Sequence, residues 1–139
     1  MKKILDFSGL TVRVIDDHED GRAFLSEILR ACDATVLEAD NIPAPRRAYV
    51  STHKLDLVMT DLALPGEDGA MFLKWLRQQP SEGGGTVPAV AVTARYESYP
   101  PTEVSCWAAY FRKPIDINQF VQTVVAILNV PTGRTSGGA

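Results

Sequence analysis

Short apolar or β-branched runs alternate with helical periodicities along almost the whole chain, and this alternation constrains the fold more than any other feature. "LTVRVID" (residues 10–16), "ATVLEA" (34–39), "LDLVMTD" (55–61), "TVPAVAVTA" (86–94) and "AAYFRKP" (108–114) predict five strands. Between them lie amphipathic patterns at helical spacing. In "EDGRAFLSEILRAC", Phe24, Leu25, Ile28, Leu29 and Cys32 share one face. In "GAMFLKWLRQQ", Phe72, Leu73, Trp75 and Leu76 face inward. "DINQFVQTVVAIL" opens on Asp116 as a cap with Gln119 completing a capping box, and carries Phe120, Val121, Val124 and Leu128 as its stripe. Pro43 and Pro45 can open but not continue a helix, so a short helix is expected after them. Strand–helix alternation of this kind builds a parallel sheet with helices on both faces. Strands covered on both sides read as continuous apolar runs, as "LVM" and "AVAV" do here.

In such a sheet, functional groups gather where strands end at their carboxyl edge. Asp16 and Asp17 follow the first strand, Asp61 the third, Thr93 the fourth and Lys113 the fifth. Each has an ordinary reading alone. Asp16 and Asp17 suit a helix cap, Asp61 suits an Asx-type loop, Thr93 a strand end and Lys113 a solvated surface. Their co-location at successive strand ends points elsewhere. Three carboxylates suit Mg²⁺, a hard cation that takes oxygen ligands. A carboxylate can attack phosphorus to give an aspartyl phosphate. Phosphoryl transfer asks the protein for little beyond positioning and charge neutralisation, which Mg²⁺, the Lys113 ammonium and the Thr93 hydroxyl could supply around Asp61. His18, beside the acids, has no helical ligand pair and reads as a loop histidine; His53 reads as an exposed helix end.

The 139 residues suit a single domain. A net charge of −3 argues against a nucleic-acid surface, which shows as a basic patch. No apolar run approaches the roughly 20 residues of a membrane span. "MKKILDFSGL" lacks the apolar region of a signal peptide. Cys32 and Cys106 lack metal-ligand spacing, and a cytoplasmic location is expected. "EGGGT" has no following Gly-Lys-Ser/Thr, so it is not a phosphate-cradling loop.

As a set, "DD" (Asp16, Asp17), "TDLALPGEDG" around Asp61, "VTA" with Thr93 and "YFRKP" with Lys113 resemble the receiver domain of two-component response regulators, over roughly Leu10 to Leu128. The resemblance implies a flavodoxin-like, doubly wound (βα)5 three-layer sandwich with strand order 2-1-3-4-5. It implies a lead-in over 1–9, a receiver domain over 10–129 and a flexible tail over 130–139. Asp61 would be the phosphoacceptor. Asp16, Asp17, Asp61 and the backbone carbonyl of Ala63 would hold Mg²⁺, and Thr93 and Lys113 would bind phosphoryl oxygens. Thr93 and Tyr110 would form the switch, and Ala63 and Arg95 would tune hydrolysis. A histidine kinase or histidine phosphotransfer protein would donate the phosphoryl group, in a phosphorelay switch rather than an enzyme. A downstream protein or a phosphorylation-dependent homodimer would read it, with no nucleic acid and no membrane involved.

The alternatives are a receiver-like binding module that does not signal by phosphate, and an aspartyl-phosphate phosphatase. Such a phosphatase needs a general acid two residues after the nucleophile, where this chain has Ala63. The segment between Thr93 and Lys113 departs from the family pattern. It is about two residues short and carries Pro100-Pro101, and Cys106 stands where a glycine is common. A shortened fourth helix follows from this, with an output surface around Tyr99, Trp107 and Tyr110.

Overall fold

The computed structural model describes residues 5–40, 54–64, 69–80, 85–94 and 107–130. Five strands are present: β1 (Thr11–Ile15), β2 (Thr35–Ala39), β3 (Leu57–Asp61), β4 (Ala89–Thr93) and β5 (Ala109–Arg112). The described helices are α1 (Glu19–Ala31), α2 (Gly69–Arg77) and α3 (Ile117–Leu128). All strands pair in parallel, in the order β2-β1-β3-β4-β5. This is the flavodoxin-like topology. The helix expected after Pro45 and the shortened fourth helix fall outside the described residues, as do Arg95, Tyr99 and Cys106.

Side chains alternate across the pleat, so each strand feeds two layers. On one face Val12, Val14, Leu57, Met59, Val90, Val92 and Phe111 pack with Leu25 and Leu29 of α1 and Phe120 and Val124 of α3. On the other face Ile15 and Val58 pack with Phe72 and Leu76 of α2. All five residues of β3 and of β4 are buried, as their apolar runs require of central strands. Phe7, in the segment expected to be a lead-in, is buried in the first of these clusters, and its N–H donates to the Cys32 carbonyl at 2.6 Å. The helical stripes need two corrections. Phe24 is exposed, since α1 buries Leu25, Ser26 and Leu29 and leaves position 24 on the rim. Trp75 is only half-buried, lying against the Phe72 ring at 6.1 Å between centroids.

Asp116 caps α3 as expected, its carboxylate accepting the Gln119 N–H at 3.0 Å. That bond satisfies one of the otherwise unpaired first-turn donors. Asp116→Ala should therefore cost about 1 kcal/mol, seen as a melting temperature lower by about 3 °C.

Candidate functional site

Strand register assembles the site. Ile15 lies opposite Thr60, so the next residue, Asp16, comes level with Asp61. Thr93 lies opposite Arg112, so Lys113 follows at the same edge, its N–H donating to the Thr93 carbonyl at 2.9 Å. Asp16, Asp61 and Lys113 have the strand parity of Val14, Met59 and Phe111, so all three lie on the α1/α3 side of the sheet. Thr93 has the opposite parity and is fully buried at the end of β4.

The carboxylates are buried and their oxygens are used. Asp16 is 1% exposed and Asp61 4%. Lys113 Nζ lies 2.8 Å from Asp16 Oδ2 and 3.1 Å from Asp61 Oδ2, joining the ends of β1, β3 and β5. The second oxygen of Asp61 accepts the Ala63 N–H at 3.0 Å, and that of Asp16 accepts the His18 N–H at 2.9 Å. Asp17 is more open. His18, Gly21, Asp61, Ala63, Ala94 and Lys113 line a cavity of about 280 Å³.

Burial of Asp61 disfavours its charged form and raises its pKa above the usual carboxylate value, against the opposing pull of the Ala63 N–H and the Lys113 ammonium. For Lys113 burial works downward, but the hydrogen bond to Asp16 and the charges of Asp61 and Asp16 outweigh it and leave the pKa raised. The lysine thus stays charged where it faces the acids.

Glycines let the elements close over the site. A Cβ on Gly21, in the first half of α1, would stand 3.0 Å from Asp16 Oδ2 and 3.5 Å from Lys113 Nζ. Arg22 of the same helix donates from Nη1 to the Asp16 carbonyl at 2.8 Å and from Nε to Glu38 Oε1 at 3.2 Å, tying α1 to β1 and to edge strand β2.

The donor set fits a hard divalent cation. Asp16, Asp17, His18 and Asp61 each offer a ligand atom, all within 4.8 Å of one another. Three of the four are carboxylates, the chemistry that Mg²⁺ takes. Ala63, expected to contribute its carbonyl, lines the same cavity. Neither Asp16 nor Asp17 is the helix cap: that position belongs to His18, which makes no side-chain capping bond. His18, expected to be a loop residue, is the exposed residue just before α1, with Nδ1 3.2 Å from Asp17 Oδ1. Tyr110 and Trp107 are half-buried at and just before β5.

A family model described as "Response regulator receiver domain" matches residues 12–125. A sensor histidine kinase, GacS, of Pseudomonas protegens is 34% identical over 117 residues, covering 82% of this chain and 13% of the kinase. The polar-differentiation response regulator DivK of Brucella anthropi is 25% identical over 121 residues, covering 85% of this chain and 95% of DivK. The chain therefore spans a small part of the first relative and nearly all of the second. Among solved structures, the receiver domain of a sensor histidine kinase from Pseudomonas aeruginosa superposes with a TM-score of 0.74 at 19% identity, over 88% of this chain and 99% of that one. That structure holds a magnesium ion coordinated in its active-site cleft. With its parallel sheet in the order 2-1-3-4-5 and its acids and lysine at the carboxyl edge, the chain belongs to the response regulator receiver domain family.

Proposed function

We propose that this receiver takes a phosphoryl group onto Asp61 from a histidine kinase or histidine phosphotransfer protein and acts as a phosphorylation switch. The observation that carries this reading is the buried Asp61 carboxylate held 3.1 Å from the Lys113 ammonium at the floor of an open cavity beside two more acids. A free oxygen lone pair of Asp61 attacks phosphorus. The bond from phosphorus to the donor nitrogen breaks, and the imidazole leaves with that electron pair. The Ala63 N–H and Lys113 orient the attacking carboxylate. Lys113 then has a phosphoryl oxygen to pair with in place of the lost carboxylate charge. Mg²⁺, held by Asp16, Asp17, Asp61 and the Ala63 carbonyl, would neutralise charge on the transferring group.

Thr93 and Tyr110 form the responding pair, Thr93 at the buried end of β4 and Tyr110 in neighbouring β5. The chain works as a switch that assists its own modification, and a protein partner reads the result. GacS, a sensor histidine kinase with a segment 34% identical to this chain, supports a histidine donor. The test is incubation with Mg²⁺ and acetyl phosphate followed by intact mass. One added phosphoryl group is expected, and chelation of the metal should remove at least nine-tenths of the uptake. No uptake under any donor would favour a binding module. Steady consumption of donor without a labelled chain would favour a phosphatase.

A further inference from the structure

We propose that Arg22 is a positioning residue for the paired acids: its guanidinium fixes the peptide that joins Asp16 to Asp17, and Glu38 on the edge strand holds the guanidinium in place. The kinetic consequence rests on the reading of Asp61 as acceptor; the geometric consequence does not.

Asp16 is where β1 gives way to the site, and each of its polar groups is held. Its N–H donates to the Ala39 carbonyl of β2 at 3.0 Å. Its carboxylate accepts the His18 N–H at 2.9 Å and Lys113 Nζ at 2.8 Å. The remaining group is its carbonyl, which accepts Arg22 Nη1 at 2.8 Å. That oxygen belongs to the planar peptide leading into Asp17. Holding it therefore sets how the chain leaves Asp16 and where Asp17 starts. Asp16 is 1% exposed, so little water is at hand to replace the guanidinium.

The guanidinium is itself anchored. Arg22 Nε donates to Glu38 Oε1 at 3.2 Å, and the other oxygen of Glu38 accepts Arg30 Nη1 at 2.8 Å. Glu38 has the strand parity of Val36, which packs on the α1 side of the sheet. It lies opposite Val14, two places before Asp16. Reaching two acceptors from Nε and Nη1 needs the planar fork of arginine; one ammonium cannot span both. The two contacts differ in weight. Arg22 and Glu38 are 19% and 30% exposed, and ion pairs open to water are worth little. The bond to the Asp16 carbonyl is charge-assisted and sheltered, so it carries the positioning, and Glu38 only biases it. The bland account is an ion pair that ties α1 to β2 and stabilises the fold without setting the acids.

The experiment compares Arg22→Gln, Arg22→Lys, Glu38→Gln, the Arg22→Gln/Glu38→Gln double variant and Arg30→Gln with the parent chain. One readout is exchange of the His18 amide proton by NMR, without metal or donor. The other is label uptake from acetyl phosphate against Mg²⁺ concentration, separating half-saturation from maximal rate. Both Arg22 variants should exchange the His18 N–H about tenfold faster, because its acceptor is the Asp16 carboxylate. They should also raise the half-saturating Mg²⁺ about tenfold while the maximal rate moves less than about twofold. Arg22→Lys keeps the charge and the stem, so it carries the test if the glutamine chain does not fold. Glu38→Gln should shift both readouts by about twofold, and should add nothing once Arg22 is Gln, since it acts through the guanidinium. Arg30→Gln, which touches Glu38 but not Asp16, should match the parent. Arg22 variants that melt lower yet keep parent exchange and parent Mg²⁺ dependence overturn the proposal and leave the bland account. A Glu38→Gln effect undiminished in the double variant overturns the link from Glu38 through Arg22. A parent chain that takes no label sinks the acceptor reading instead, and the exchange readout still decides the role of Arg22.

Discussion

Asp61→Asn is expected to abolish phosphoryl uptake and, at neutral pH, to melt above the parent chain. The first effect follows from chemistry: an amide is too weak a nucleophile to attack phosphorus. Uptake should fall below about 1% of the parent level, since the acceptor bond cannot form. The second follows from burial. Asp61 is 4% exposed, and loss of solvation raises its pKa although Ala63 and Lys113 pull the other way. A folded-state acid with a raised pKa binds its proton more tightly than the unfolded chain does. Its contribution to stability is therefore most favourable below the ordinary value of 3.8 and is lost as pH rises through the raised folded pKa. At neutral pH the full cost of the charge is present.

Asparagine removes that charge and keeps an oxygen for the Ala63 N–H. Lys113 keeps Asp16 at 2.8 Å, and its own raised pKa acts only in the alkaline range. Single stabilising substitutions are commonly worth about 0.5–2 kcal/mol, and removal of this buried charge is expected in that range, about 2–6 °C here. The gain should shrink as pH falls toward the ordinary carboxylate value, where the parent Asp61 also becomes neutral. Intact mass with acetyl phosphate and melting curves near pH 7 and near pH 4 check both halves. Parent-level labelling of the Asn variant would remove Asp61 as acceptor. A gain in melting temperature equal at both pH values would remove the burial account.

The same physics explains how much was legible in the sequence. Parity and position were enough to place Asp16, Asp61 and Lys113. Each lies at or just beyond the carboxyl end of a parallel strand, in step with a core residue two places earlier. The five runs became the five strands; those of β3 and β4 are continuously apolar because central parallel strands have no solvent face to encode, whereas edge strands β2 and β5 keep exposed positions. Boundaries of burial were harder to read. Phe24 fits a helical stripe by spacing but stands on its edge, where a shift of one position decides between core and rim. Phe7 lies outside any periodic run, so nothing in its neighbours announces that it fills the core. The roles of Gly21 and Gly69 were harder still to read, because each is a close approach between elements: Gly21 to Asp16 and Lys113, Gly69 to the end of β3.

Gly69→Ala should cut the rate of phosphoryl uptake by about a hundredfold and destabilise the fold, although residue 69 carries no chemistry. Gly69 opens α2, and its N–H donates to the Leu62 carbonyl at 2.9 Å, bringing the start of α2 against the end of β3. A Cβ there would stand 2.6 Å from the Asp61 carbonyl oxygen, 3.0 Å from Leu62 Cδ2 and 3.2 Å from Leu62 Cα. Two of these three neighbours are backbone atoms of the strand end and cannot swing away as a flexible side chain could. The start of α2 or the end of β3 must move instead. Overpacking of this kind costs about 1–3 kcal/mol, a melting temperature lower by about 3–9 °C. If β3 yields, Asp61 shifts relative to Lys113 and Asp16, which sit on other strands. A misplacement of about 1 Å costs on the order of a hundredfold in rate. Gly21→Ala is the graded comparison, because its Cβ meets the ends of the Asp16 and Lys113 side chains rather than backbone. It should slow uptake by about tenfold or less, as those ends can give by a few tenths of an ångström. The measurement is the rate of label incorporation under saturating Mg²⁺, with circular dichroism to establish that each variant is folded. A folded Gly69→Ala chain labelling at the parent rate would show that the approach of α2 to β3 does not position the acceptor.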